Sequence, residues 1–246
     1  MKADLVRQWR LLDLQKLDTR LDQLAHKERQ LPVTAQLEQA TARRAALAEE
    51  VVLAGIAVQD SERAVTKADA AVQLVRDRAA RDKQRLESGA GSAKDLQGLQ
   101  HELETLARRQ AELEDAELEV MENAEALKAD LATKQTAEAD AEAEVAQLSV
   151  RREQEVAEIA SEREQVQRDR ANVAPGIGAE LLGLYEKIRE QQGGVGAAAL
   201  SQKRCGGCGL ELGSADLARI RAAAEDEVVR CEECRRILIR TAESGL

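Results

Sequence analysis

Residues 87–92 read Glu87-Ser88-Gly89-Ala90-Gly91-Ser92, the only glycine-rich, small-residue interruption in the chain before residue 172. On either side of it apolar residues recur at alternating spacings of four and three. Upstream the series is Leu47, Val51, Ala54, Val58, Ser61, Val65, Ala68, Val72, Val75, Ala79 and Leu86, broken mainly by Asp82. Downstream, Leu96, Leu99, Leu103, Leu106, Leu113, Val120, Leu127, Leu131, Ala141, Val145, Leu148, Ile159 and Val166 hold one continuous frame, with Gln110, Glu117 and Glu138 as polar members. A 4,3 spacing keeps these side chains on one helical face and makes that face a coiled-coil seam. The glycines between the two series predict a turn, and Ser92 can cap the helix that follows. Arms of about 85 and about 80 residues around one tight turn fold back as an antiparallel hairpin, each arm ~120 Å long at ~1.5 Å rise per residue.

Toward the N-terminus, Leu14, Leu17, Leu21, Leu24 and Leu31 keep the same rhythm in a different frame, and Pro32 sits at the change of phase. Proline clashes with the preceding helical turn, so a kink or short break is expected at Leu31-Pro32. Toward the C-terminus a linker begins near Ala174-Pro175-Gly176. Within it, Ala179 to Glu190 reads as a short amphipathic helix stopped by Gln191-Gln192-Gly193-Gly194. Trp9 and Tyr185 fall at the same end of the hairpin and are expected to share a small cluster. The expected organisation is a hairpin over 1–173, a linker with a short helix over 174–200, and a metal-bound ribbon over 201–246.

Composition supports this reading. Aromatic residues are 1% of the 246, with no Phe, while charged residues are 33% and there are two prolines. That profile belongs to long helices and coiled coils rather than layered folds. No apolar run approaches the ~18 residues of a membrane span and no export signal is evident, so a cytoplasmic location without membrane contact is expected. A net charge of -10 argues against nonspecific coating of nucleic acid by the whole molecule. Residues 112 to 144 hold twelve Asp/Glu against Lys128 and Lys134, whereas residues 76 to 94 are net +3. The latter carry Arg76, Arg78, Arg81, Lys83, Arg85 and Lys94, a candidate basic patch around the turn.

All four cysteines fall in Cys205-Gly-Gly-Cys208-Gly and Cys231-Glu-Glu-Cys234-Arg. A CxxC turn aims two thiolates at one ion, and two such knuckles complete a tetrahedral Cys₄ shell. Four thiolates leave no open coordination position, so the ion, zinc by this reading, is structural. Iron in a rubredoxin-like site shares the same ligand type. Disulfides would need an oxidising compartment, and redox CxxC chemistry a βαβ context that the chain does not offer. Arg236-Ile-Leu-Ile-Arg240 and Val228-Val229-Arg230 read as short strands, and Ser214 to Ala224 as a helix inserted between the knuckles. His26 and His101 read as solvated helix residues, and no GxxxxGK[ST], GxSxG or HExxH motif occurs. The chain is therefore expected not to be an enzyme and to take no small-molecule substrate.

Leu11-Leu-Asp-Leu-Gln-Lys-Leu-Asp18, Lys94-Asp-Leu-Gln-Gly-Leu-Gln-His-Glu102, Leu113-Glu-Asp-Ala-Glu-Leu-Glu-Val-Met-Glu122, Leu184-Tyr-Glu-Lys-Ile-Arg189 and the paired CxxC motifs occur in that order. Together they resemble the bacterial C4-type zinc-ribbon proteins with an N-terminal coiled-coil hairpin, once catalogued as a family of unknown function. The resemblance covers nearly the whole chain. It implies a mainly α fold, a long antiparallel coiled-coil hairpin plus a small C-terminal zinc ribbon, and adaptor behaviour. Flagellated members of that family are linked to the flagellar sigma factor and to mRNA binding, and a chlamydial-type member to secretion components. The family's second knuckle resembles CPxCGR, whereas here Glu232 stands for the Pro and Arg235 for the Gly, which predicts strain after Cys234. Two functions are then expected: a noncatalytic adaptor binding protein partners through the hairpin tip or the ribbon, or an RNA/DNA-binding regulator. The second would use the tip cations with Arg204, Arg230, Arg235, Arg236 and Arg240, although the ribbon carries no aromatic residue on which bases could stack.

Overall fold

The computed structural model describes residues 1–246. The elements in order are α1 (Leu5–Arg29), α2 (Pro32–Glu87), α3 (Ala93–Val173), a 3-10 turn (Ala174–Gly176), α4 (Ala179–Gln191), β1 (Ala197–Ser201), β2 (Arg204–Cys205), α5 (Ser214–Ala222), β3 (Val229–Arg230) and β4 (Ile237–Ile239). They pack as two units, Ala35–Ser149 and the combination of Met1–Thr34 with Val150–Leu246.

The unit Ala35–Ser149 is a pair of antiparallel helical arms. Every seam residue expected on the first arm, from Leu47 to Leu86, is buried or half-buried, as is every one on the second arm that lies in this unit. Ion pairs between the arms fix the direction: Arg43–Glu144 (3.6 Å), Glu50–Lys134 (3.2 Å), Glu62–Lys128 (3.6 Å) and Arg76–Glu114 (2.6 Å). Residue numbers rise on one arm as they fall on the other. Such exposed pairs contribute only ~0.2–1 kcal/mol each, so they set register more than stability. Asp82 does not interrupt the seam. It stays inside at 8% exposure, with Oδ2 lacking any hydrogen-bond donor.

The turn is built as its residues demand. Gly89 and Gly91 have φ of 62° and 143°, values open to glycine alone at little cost. Ser92 and Asp95 then form a reciprocal cap. The Ser92 Oγ accepts from the Asp95 N–H at 3.3 Å, and the Asp95 carboxylate accepts from the Ser92 N–H (3.0 Å) and hydroxyl (2.7 Å). These hydrogen bonds hold the Asp95 carboxyl below its usual range.

In the other unit α1 ends at Arg29 and α2 begins at Pro32, the break expected from the proline. The sheet has strand order β2-β1-β4-β3, with β1 parallel to β4 and both edge strands antiparallel to their neighbours. Strand β1 begins at Ala197, ahead of residue 201, because Ala197, Ala198 and Ala199 pair with Ile237, Leu238 and Ile239. The sheet has two covered faces. Strand period two sends Ile237 and Ile239 into a core with Leu11, Leu14, Ile177, Leu181, Tyr185 and Ile188, and sends Leu238 into a second core with Leu200, Cys205, Leu212, Ile220, Val229 and Cys231. The first core fastens the sheet to α1 and α4. The second surrounds the cysteines.

Trp9 does not join Tyr185. It is 48% exposed and its indole N–H donates to the Arg240 carbonyl at 3.0 Å, while Tyr185 is fully buried and donates to Asp18 at 2.6 Å. Each ring has a polar edge that needs a partner, and the two find different ones, a rim carbonyl for Trp9 and a buried carboxylate for Tyr185.

Candidate metal centre

Each knuckle is a chain reversal closed by the same backbone bond. The Gly209 N–H donates to the Cys205 carbonyl at 2.7 Å, and the Arg235 N–H to the Cys231 carbonyl at 2.9 Å. The residue after the second cysteine is left-handed in both, with φ of 76° at Gly209 and 64° at Arg235. The first knuckle must also pass close to β1. Gly206 donates to the Ala199 carbonyl at 3.0 Å, and a Cβ at that position would lie 2.9 Å from the same oxygen. Glycine there is a matter of space; at Gly209 it is a matter of φ.

The four sulfurs converge. All lie within 4.8 Å of one another, with Cys205–Cys234 at 3.8 Å and Cys208–Cys231 at 4.0 Å. Zn–S bonds near ~2.3 Å in a tetrahedron require S···S edges near ~3.8 Å. The separations therefore fit one four-coordinate ion and are far too long for disulfides. Cys205 and Cys231 are fully buried, Cys208 and Cys234 partly. Burial pushes the Cys205 thiol up to about 12 and raises Cys231 as well. Burial acts in the same sense on Cys234, but hydrogen bonds from Arg236 and the neighbouring thiols outweigh it and bring that group down to about 7. Four thiolates packed this closely need a cation to be charged together. When bound, the metal contributes cross-linking of two knuckles and charge neutralisation.

Around this centre the arginines divide by task. Arg240 donates to five backbone carbonyls: Ile220, Ala223, Ala224, Glu225 and Glu227. It thereby caps α5 and anchors the loop into β3. Arg236 donates to the Gln192 and Val195 carbonyls at 2.7 and 2.9 Å. Arg230 donates to the Arg235 carbonyl, Arg235 pairs with Glu232 at 3.2 Å, and Arg204 pairs with Glu211 at 3.7 Å. Near the turn, Arg76 pairs with Glu114 and Arg78 with Glu102. Arg81, Lys83, Arg85 and Lys94 are exposed and form no ion pair.

A polar network that residue types alone do not announce joins α1 to α3, to α4 and to the approach to β1. Asp18, 1% exposed, accepts from Tyr185 Oη (2.6 Å) and Arg170 Nε (2.6 Å), with Arg189 Nε at 3.6 Å. Arg170's pKa is raised by these bonds to Asp18, and Tyr185's by burial and then by Asp18. Gln15 accepts from the Gly196 and Ala197 N–H groups and donates to the Gly194 carbonyl, holding the approach to β1. The sequence did carry a signal, because Leu11, Leu14, Asp18 and Leu21 keep a 3,4,3 spacing that places a carboxylate on a core stripe.

Comparison with known proteins agrees with this architecture. Residues 14–193 match the CT398-like coiled coil hairpin domain and residues 204–238 the C4-type zinc ribbon domain, which assigns the Cys₄ site to zinc. An uncharacterized protein of Mycobacterium tuberculosis is 43% identical over 244 residues, covering 98% of each chain. A second, of Mycobacterium leprae, is 31% identical over 89% of this chain and 94% of its own. A solved structure from Mycobacterium smegmatis superposes with a TM-score of 0.82 at 37% identity over 98% of this chain and 100% of that one. CT398 of Chlamydia trachomatis shares the fold, with a TM-score of 0.62 at 16% identity over 96% and 98% of the two chains. No helix of the chain is long and apolar enough to cross a membrane. With a hairpin match over most of its length, a ribbon match over the cysteines and four sulfurs at zinc spacing, the chain belongs to the family of CT398-like coiled-coil hairpin proteins that carry a C4-type zinc ribbon.

Proposed function

We propose that the protein is a noncatalytic adaptor whose hairpin tip binds an acidic surface on a protein partner. The observation that carries the proposal is the state of its cations. Arg81, Lys83, Arg85 and Lys94 surround the turn with their charges unspent, whereas Arg76 and Arg78 are tied across the arms and Arg236 and Arg240 are consumed by backbone carbonyls. Unpaired cations at a surface loop cost little to leave in water and are available to steer an oppositely charged partner. The zinc, in this reading, holds a fold element in place and takes no part in chemistry.

The test is crosslinking with mass spectrometry in cells, comparing the wild type with a variant carrying Glu at positions 81, 83, 85 and 94. Proteins captured near residues 81–94 should be lost in the variant, and the purified pair should bind with moderate salt dependence. An unchanged interaction profile refutes the role of the tip. The same four cations also favour a nucleic-acid reading. Binding of single-stranded RNA that survives ~150 mM salt and is abolished by the same variant would replace the adaptor with that second reading.

A further inference from the structure

We propose that two copies of this chain associate through the outward face of α2, pairing antiparallel around Val52 and Ile56. The face opposite the seam repeats a heptad frame of its own. Ala42, Ala45, Glu49, Val52, Ile56, Gln59, Arg63 and Thr66 follow alternating spacings of three and four, and every one is exposed. Its centre is apolar without any partner in the chain: Val52 is 62% exposed, Leu53 66% and Ile56 51%. The outward face is therefore a short apolar patch flanked by polar residues, opposite the seam, and such a patch on a long helix is suited to contact one further helix.

Gly55 is the second observation. It lies inside a 56-residue helix, where glycine weakens the helix relative to alanine, yet nothing lies within 4 Å of the position its Cβ would take. No contact within the chain requires it. Beside Val52 and Ile56 it leaves room for a second backbone to approach.

Charge selects both the occupant and the direction. Setting Val52 against Ile56 of a second copy, with the chains antiparallel, places Glu49 opposite Gln59 and within one helical turn of Arg63. Glu49 has no ionic partner in its own chain, and Arg63 holds only its neighbour Asp60 at 3.0 Å. A parallel pairing would instead set Glu49 against Glu49 and Arg63 against Arg63, which repel. The face is thus self-complementary under a two-fold axis in one direction only, as an isologous interface requires. Antiparallel pairing points the two tips in opposite directions, so a dimer would present two tip surfaces at once.

The test is sedimentation of the full-length, zinc-loaded protein from about 1 to about 200 µM, a range suited to a contact of this modest size. A reversible monomer–dimer equilibrium is expected, weakened at least about tenfold by Ile56→Asp and by Gly55→Leu with helicity retained. Glu49→Arg should weaken it, and Glu49→Arg combined with Arg63→Glu should restore it. A photo-crosslinking residue at position 59 should capture the segment around Glu49 of the second copy. A monomer throughout the range, a dimer indifferent to Ile56→Asp, or a crosslink from position 59 to position 59 would each overturn the proposal.

Discussion

Replacing Arg235 with glycine should tighten zinc binding. Arg235 sits at φ 64°, at the same point of its knuckle where Gly209 sits at φ 76° in the other, and each donates its N–H to the carbonyl of the first cysteine. An L side chain in that region costs ~1–2 kcal/mol, whereas glycine pays ~0.5–1 kcal/mol in additional unfolded-chain entropy. The difference leaves a gain of about 0.5–1 kcal/mol for Arg235→Gly. What is lost is a pair with Glu232 at 3.2 Å between side chains 63% and 40% exposed, which contributes little in water. Because the knuckle is organised by the metal, a gain in its folding appears as a gain in metal affinity, here about two- to fivefold. The reciprocal change, Gly209→Ala, meets nothing within 4 Å and so suffers only the conformational penalty, weakening zinc by a similar factor. Competition against a chromophoric chelator at fixed pH reads both. If Arg235→Gly binds zinc no tighter while Gly209→Ala binds it more weakly, backbone strain at residue 235 is not what the second knuckle pays.

Removing zinc with a chelator should release amide protection across residues 204–238 while residues 40–140 keep theirs, since the sulfurs belong to the core around Leu200, Leu212 and Ile220 and to no part of the arms; hydrogen exchange resolves the two regions. Asp18→Asn should destabilise the ribbon-bearing unit by about 1–3 kcal/mol, because it weakens the buried acceptor of Tyr185 and Arg170 and leaves Arg170 to Glu186 and Arg189 to Asp22 alone. Trp9 fluorescence during urea unfolding reports it, and an unchanged midpoint would remove the network from the account. Asp82→Leu should stabilise the arms by about 1–3 kcal/mol, since it fills the seam and deletes a buried carboxylate oxygen that lacks a hydrogen-bond donor and has only a 3.9 Å contact with the exposed Arg78 guanidinium. Circular dichroism on heating measures that gain.

The hairpin was legible because its information is periodic. Each seam residue from Leu47 to Val166 announces its burial through spacing alone, and Gly89 and Gly91 announce the turn through the φ they permit. The zinc site was legible because four thiols in two CxxC pairs have few other uses. What spacing cannot convey is which unsatisfied carbonyl lies nearest to a side chain once distant segments meet. Trp9 and Arg240 illustrate this: 231 residues apart in sequence, they are joined by one hydrogen bond at the rim of a sheet. Arginine suffers most from this blindness, because a guanidinium answers equally to a carboxylate, a carbonyl or solvent. Eleven basic residues qualified as a binding surface by charge and position. Arg76, Arg78, Arg204 and Arg235 meet carboxylates, Arg230, Arg236 and Arg240 are oriented by carbonyls, and Arg81, Lys83, Arg85 and Lys94 meet neither. A count of charges therefore overstates how many of these side chains are free of the fold, and the four that are free lie beside the glycine turn of the hairpin and not in the ribbon.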